Sequence, residues 1–141
     1  MADRQEELAT KLATFALFSD LNYAQLRAIV ELFDEASFPD GERVLRQGIS
    51  GSSFFVIVDG EAEVRVDGQP RSTLGQGEFF GEVSIFLGEA PVADVVAEGP
   101  LRCLVLAADQ VEGFLNAYPH VMFRMLKAQA LRLRGANQWR S

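Results

Sequence analysis

The sequence predicts an α+β, mainly β fold: an antiparallel barrel or jelly roll with helices at both chain ends. Three observations carry this. From Phe38 to about Leu106, turn signals recur every 8–12 residues, with short Val-, Ile- and Phe-rich runs between them. Before and after that stretch, apolar residues recur at helical spacing instead. The 141 residues, 48% of them hydrophobic, are enough for a single domain with one core.

The elements follow in order. Leu8, Leu12 and Phe15 predict a first helix. Phe18-Ser19-Asp20-Leu21 breaks it, and Ser19 or Asp20 is a candidate cap for the next. Leu21, Leu26, Ile29, Val30 and Phe33 share one stripe of a helix ending near Asp34. Turn signals then come at Pro39-Asp40-Gly41, Gly48 to Gly51, Asp59-Gly60, Asp67-Gly68, Gly75 to Gly77, Gly88 and Gly99-Pro100. Between them, Phe54 to Val58 is a strand and Ala62 to Val66 alternates with period 2. Val66-Asp67-Gly68-Gln69 is a hairpin signal. Leu101 to Leu106 is a buried strand holding Cys103. Val111, Phe114 and Leu115 predict a short helix with Asp109 as N-cap. After Tyr118-Pro119, Val121, Met122, Met125, Leu126, Gln129 and Leu133 form a long amphipathic stripe ending near Gly135.

Composition excludes several functions. One His and one Cys cannot build a zinc or iron site of the usual N/S type. The single Cys makes no internal disulfide, so nothing demands an oxidising compartment, and a cytoplasmic chain is expected. No apolar run approaches a membrane span, and the acidic, polar N-terminus is unlike a signal peptide. No nucleophile–base–orienter set is visible, so no enzyme is expected. The net charge of −7 argues against nucleic acid. That charge is uneven. Residues 1–112 carry eight basic and twenty acidic side chains; residues 113–141 carry Arg124, Lys127, Arg132, Arg134 and Arg140 with no acid.

The chemistry concentrates in Leu74-Gly75-Gln76-Gly77-Glu78-Phe79-Phe80-Gly81-Glu82-Val83-Ser84-Ile85-Phe86-Leu87. A glycine-rich turn leads into a short apolar run able to make one or two helical turns. The exposed N–H groups and partial positive charge of a helix start suit a phosphate. Gly81 permits close approach to the backbone, and Glu82 can accept from sugar hydroxyls. Each has a plainer reading, Gly81 as turn geometry and Glu82 as an acid in a helix's first turn. Ser84 is a candidate phosphate contact or simply a small helix residue.

This segment resembles the cyclic-nucleotide-binding domain family, which includes catabolite-activator-type regulators and protein kinase A regulatory subunits. The resemblance begins at Phe18-Ser19-Asp20-Leu21-Asn22 and Gln25-Leu26. It continues through Gly41-Glu42-Arg43-Val44-Leu45-Arg46-Gln47-Gly48 and Phe54 to Val64. It implies a single domain over 1–141: N-terminal helices at 1–36, an eight-stranded β-roll at 37–107 with a phosphate-binding cassette at 79–87, and C-terminal helices at 108–136. It implies cAMP or cGMP as ligand, no other cofactor, and a binding site at Phe80, Gly81, Glu82, Val83, Ser84, Val92 and Ala93. It also makes Trp139 a candidate to pack on a partner or over a base.

The departure from the family is as specific as the match. Binding members follow the cassette with a Pro-Arg-Ala type stretch whose Arg pairs with the cyclic phosphate. Here Gly88-Glu89-Ala90-Pro91-Val92-Ala93-Asp94-Val95 puts Val92, or by the other alignment Pro91, at that position. No basic residue lies between Arg71 and Arg102, and Asp94 adds a negative charge. Losing one partner of a buried ion pair costs roughly 3–5 kcal/mol, or about a hundred- to several-thousand-fold in affinity. Arg71 and Arg102 are the nearest candidates by sequence for a substitute cation.

Two function classes therefore stand. One is a regulatory ligand-sensing module whose C-terminal helix moves when ligand binds. The other is a degenerate, ligand-free domain used for interaction or dimerisation through Met122, Met125, Leu126 and Leu133, with a second copy or a fused effector domain as partner. Between the expected end of the long helix and Ser141 there is no room for a helix-turn-helix, so DNA binding by this chain alone is not expected. His120 reads as a surface residue and Cys103 as a small core residue.

Overall fold

A computed structural model describes residues 3–49 and 53–140, the last of these, 137–140, by backbone alone. Helix α1 (Arg4–Leu12) and a 3-10 turn (Ala16–Phe18) lead into α2 (Tyr23–Leu32). Strands β1 (Asp34–Phe38), β2 (Arg43–Leu45), β3 (Ser53–Val66), β4 (Gln69–Leu74) and β5 (Phe79–Phe80) follow. The short α3 (Glu82–Leu87), β6 (Asp94–Ala107), α4 (Ala108–Ala117) and α5 (Pro119–Arg140) complete the chain. Among the described residues no helix is long and apolar enough to cross a membrane.

The described strands form one antiparallel sheet of six in the order β1-β6-β3-β4, with β2 on β6 and β5 on β3. The sheet is not closed, and the expected eight strands are not found. The reason lies at two glycines. Asp59-Gly60 and Gly99-Pro100 read as turns, yet the chain runs through both. They face each other inside the β3–β6 ladder, whose register shifts between Ile57 and Asp59 and again between Asp59 and Glu61. A Cβ on Gly60 would lie 2.3 Å from the Pro100 carbonyl oxygen, so the glycine serves a close backbone approach within two 14-residue strands. Asp67-Gly68 is a true hairpin turn: both residues have positive φ, 53° and 77°, as a type I′ turn requires.

The run Phe54 to Val58 is buried on both faces. Phe54, Val56 and Val58 pack with Leu12, Phe18, Ile29, Phe114 and Met125 from the helices. Phe55 and Ile57 point the other way, to Val95, Leu101 and Cys103. A continuous apolar run, rather than an alternating one, is what a strand covered on both sides needs. An ion-pair network ties α1 to the sheet edge: Arg4 and Arg102 meet Glu35, while Lys11 and Arg102 meet Asp59.

Several local expectations shift. Neither Ser19 nor Asp20 caps α2; Asn22 does, in a capping box where its side chain accepts from the Gln25 N–H and Gln25 accepts from the Asn22 N–H, both at 2.9 Å. Asp20 instead receives Arg124 of α5 at 2.9 and 3.1 Å. Asp109 lies inside the first turn of α4, and Ala107 holds the cap position without a side-chain bond. Helix α5 continues past Gly135, since a helix tolerates one glycine at a cost of about 1 kcal/mol. Asn22→Ala should lower stability by about 1 kcal/mol, read from urea denaturation; an unchanged midpoint would show that the box adds nothing to α2.

Candidate functional site

Strand β5, helix α3 and the loop after it wall a cavity of about 210 Å³. Phe80, Gly81, Glu82, Val83, Ser84, Val92 and Ala93, the residues expected there, all line it, with Pro91 beside them. The other walls are Leu45 of β2, Val64 of β3, Ser72 and Leu74 of β4, Val95 of β6 and Arg132 of α5. Most of this lining is apolar; its charged members are Glu82 and Arg132.

The backbone at Gly81 sets the geometry. Its φ is +92°, and a Cβ there would lie 2.2 Å from the Ser53 carbonyl oxygen. This left-handed residue turns the chain from β5 into α3. Phe80, just before it, stacks on Phe55 with ring centres 4.6 Å apart, fixing the floor of the turn. Ser84 is buried and donates to the Gly81 carbonyl at 3.2 Å.

Glu82 is only 1% exposed, although it carries a carboxylate. Gln129 of α5 donates to its Oε2, and Nη1 of Arg132 stands 3.5 Å from the same oxygen. Nη2 of Arg132 donates to the Phe79 carbonyl at 2.8 Å, and its guanidinium lies over the Phe79 ring, 4.4 Å from the centre. Burial pushes the Glu82 carboxyl above its ordinary value; its own backbone N–H, the Arg132 charge and the Gln129 hydrogen bond oppose this in part. A folded-state value above the unfolded one means stability is present at low pH and lost as pH rises through the folded value. Glu82→Gln removes that titration while keeping the shape. Its stability relative to the native chain should therefore rise as pH climbs above the ordinary carboxylate range. A pH-independent offset in urea denaturation would contradict this.

The two substitute cations suggested by sequence do not reach the cavity. Arg71 is exposed on β4, between Pro70 and Ser72; Ser72 and Leu74 take the inward side of that strand. Arg102 is spent on Glu35 and Asp59 at 3.2 and 3.3 Å, a charge contact in which its buried Nε finds no aligned acceptor among the described residues. Arg132 lines the cavity instead. Sequence spacing held a signal for it: Arg132 follows the core residue Met125 by seven positions, two helical turns along the same face. Asp94 adds no charge to the lining; its carboxylate accepts from the Gln47 N–H at 2.8 Å.

The proposed interaction stripe divides. Met122, Leu126 and Leu133 are exposed, but Met125 is 2% exposed and belongs to the core, so it is not available to a partner. Trp139 lies outside the described side chains. His120 is exposed. Cys103 is buried, and burial pushes its thiol up to about 12, so it is inert at neutral pH. Among the described residues no group of three His, Cys, Asp or Glu side chains could hold a metal ion.

A family model described as "Cyclic nucleotide-binding domain" matches residues 35–118, a span holding every cavity-lining residue except Arg132. The chain belongs to the cyclic nucleotide-binding domain family. Members resembling it include a cGMP-dependent protein kinase of Eimeria tenella, 29% identical over 120 residues, and one of Toxoplasma gondii, 27% identical over 120 residues. The chain spans only 12% of the length of these curated relatives, while 85% of it is matched. Among solved structures, the catabolite activator protein of Thermus thermophilus is 27% identical with a TM-score of 0.76, over 86% of this chain and 60% of that one. The regulatory subunit of a cAMP-independent protein kinase A from Trypanosoma brucei shares the fold at a TM-score of 0.81 and 20% identity, over 98% of this chain and 50% of that one. The regulatory domain of Toxoplasma gondii PKA, in co-crystal with cAMP, shares it at 0.76 and 19%, over 90% and 50% of the two chains. One family fold thus serves proteins described as cAMP-bound and as cAMP-independent, and the ligand must be argued from the cavity.

Proposed function

We propose that this domain is a non-enzymatic ligand sensor in which a small molecule, cAMP or cGMP, enters the α3 cavity and shifts α5. One observation carries the reading. The buried carboxylate of Glu82 forms part of the cavity wall and is held by Gln129 and Arg132 of α5. A ligand hydroxyl that claims Glu82 changes the contacts that dock the helix, so occupancy and helix position share one carboxylate. A two-state element biased by differential contacts is what a sensor requires. The single, buried Cys103 needs no oxidising compartment, which supports a cytoplasmic setting.

Calorimetric titration of cAMP and cGMP, with melting curves beside it, tests this. Binding to the native state should raise Tm, by the equivalent of about 2.7 kcal/mol at a hundredfold excess over Kd. Absence of heat and of any shift with both nucleotides, for the native chain and for Val92→Arg, would overturn it.

A second reading has its own observation. Val92, one of the two residues that align with the arginine of binding members, stands 60% exposed in the cavity wall, while Phe123, Leu126 and Leu133 of α5 are 64%, 66% and 63% exposed. A ligand-free interaction module would use that helix face against a second copy or an effector domain. Its mark is a stable dimer by sedimentation together with indifference to nucleotide.

A further inference from the structure

We propose that Arg132, carried on α5, is the cation that holds an anionic ligand in this cavity, in place of the arginine that the α3 loop lacks. The inference rests on the sensing reading above and deepens it by naming the anion-binding residue and the charge class of the ligand.

The first support is elimination within the wall. An anion leaving water needs a cation or several aligned donors. Pro91 and Val92 supply neither charge nor a side-chain donor, and Arg71 and Arg102 do not line the cavity. Arg132 is the cation that does. The second support is unused capacity. A guanidinium has five N–H donors in a planar fork. In Arg132, Nη2 donates to the Phe79 carbonyl and Nη1 faces Glu82, which leaves further N–H groups for an oxyanion. The third is access: the Arg132 side chain is 35% exposed, against 2% for Glu82, so part of it remains in contact with water.

The same charges set the ligand class. Glu82 and Arg132 compensate each other, so the lining is neutral and one added anion leaves a charge of about −1 to be solvated. A monoanion carrying hydroxyls and a flat apolar body meets this wall, with Leu45, Val64, Leu74 and Val95 for the apolar part and Glu82 for a hydroxyl. A cyclic monophosphate is such a molecule. AMP, a dianion, and ATP, with more charge still, are not. Since Arg132 belongs to α5, capture of the anion moves the helix directly, besides the route through Glu82.

The test is calorimetric titration of cAMP into the native chain, Arg132→Gln, Arg132→Lys and the double variant Arg132→Gln/Val92→Arg, with AMP and ATP as charge controls. Arg132→Gln should weaken cAMP binding roughly ten- to a hundredfold, the worth of one charge-assisted hydrogen bond. Arg132→Lys should retain part of the affinity as a point charge without the fork. Restored binding in the double variant shows that the loss was of a cation and not of the fold, and melting curves check folding independently. Arg132→Gln binding cAMP as tightly as the native chain, or more tightly, overturns the proposal: Arg132 would then only latch Glu82, and the sensing reading would survive. AMP or ATP binding as tightly as cAMP overturns the charge argument. If neither the native chain nor Val92→Arg binds any cyclic nucleotide, the sensing reading falls and this inference falls with it.

Discussion

Replacing Gly81 with alanine should destabilise the domain by about 3–5 kcal/mol, combining an overpacking penalty with left-handed backbone strain. The added Cβ would sit 2.2 Å from the Ser53 carbonyl oxygen and 3.3 Å from the Phe55 ring. The carbonyl belongs to β3, the central strand, and cannot yield as the tip of a flexible side chain can. The φ of +92° adds strain for any residue with a Cβ. Gly88, at the other end of α3, is the control. Its φ is also positive, +66°, but an alanine Cβ there would meet no atom within 4 Å, so Gly88→Ala should cost only about 1 kcal/mol. Urea denaturation of both variants separates close approach from conformation. Equal losses at the two positions would show that backbone conformation alone makes glycine necessary at Gly81.

Val92→Arg should raise affinity for cAMP by roughly ten- to a hundredfold, the gain of a charge-assisted contact at a partly solvated site. The figure is smaller than for a fully buried ion pair because Val92 is 60% exposed at the cavity mouth. Water screens the new guanidinium and also spares it the cost of desolvation. The backbone already points this residue at the cavity, between Pro91 and Ala93, which line it too. Calorimetry on Val92→Arg and Val92→Lys reads the effect. A gain with arginine that exceeds the gain with lysine indicates a bidentate contact. No gain with either would mean that an anion in this cavity does not lie against the loop after α3.

The site was legible in part. The glycine-rich turn marked α3 but not the two-residue β5, and Phe80, Gly81, Glu82, Val83, Ser84, Val92 and Ala93 share one cavity wall. These residues are close in sequence, and the turn chemistry that brings them together is local. The sequence-distant walls Leu45, Val64, Ser72, Leu74 and Val95 carry no chemical mark and are placed by strand pairing. The basic residue of the lining was illegible for the same reason. Arg71 and Arg102 are nearer to the cassette along the chain, but strand alternation sends Arg71 outward and Glu35 and Asp59 occupy Arg102. Arg132, some fifty residues beyond Glu82, reaches it because α5 packs back on the N-terminal 3-10 turn and sets Gln129 and Arg132 beside Phe79 and Glu82.

The strand count failed at two glycines. Asp59-Gly60 and Gly99-Pro100 have turn composition, and composition alone cannot tell a turn from a close backbone approach. The contact between Gly60 and the Pro100 carbonyl exists only once β3 and β6 are paired.

The sequence alone determined the helix–sheet–helix order of the chain, the family, the lack of an internal disulfide and the absence of a basic residue between Arg71 and Arg102. Each depends on residue identity or on neighbours a few positions apart, where propensity and turn chemistry act. Tertiary structure decided which arginine faces the cavity, that Met125 is core rather than interface, and that the buried Glu82 is held from α5. Those outcomes depend on which surfaces exclude water together, and that is fixed only when helix and sheet pack.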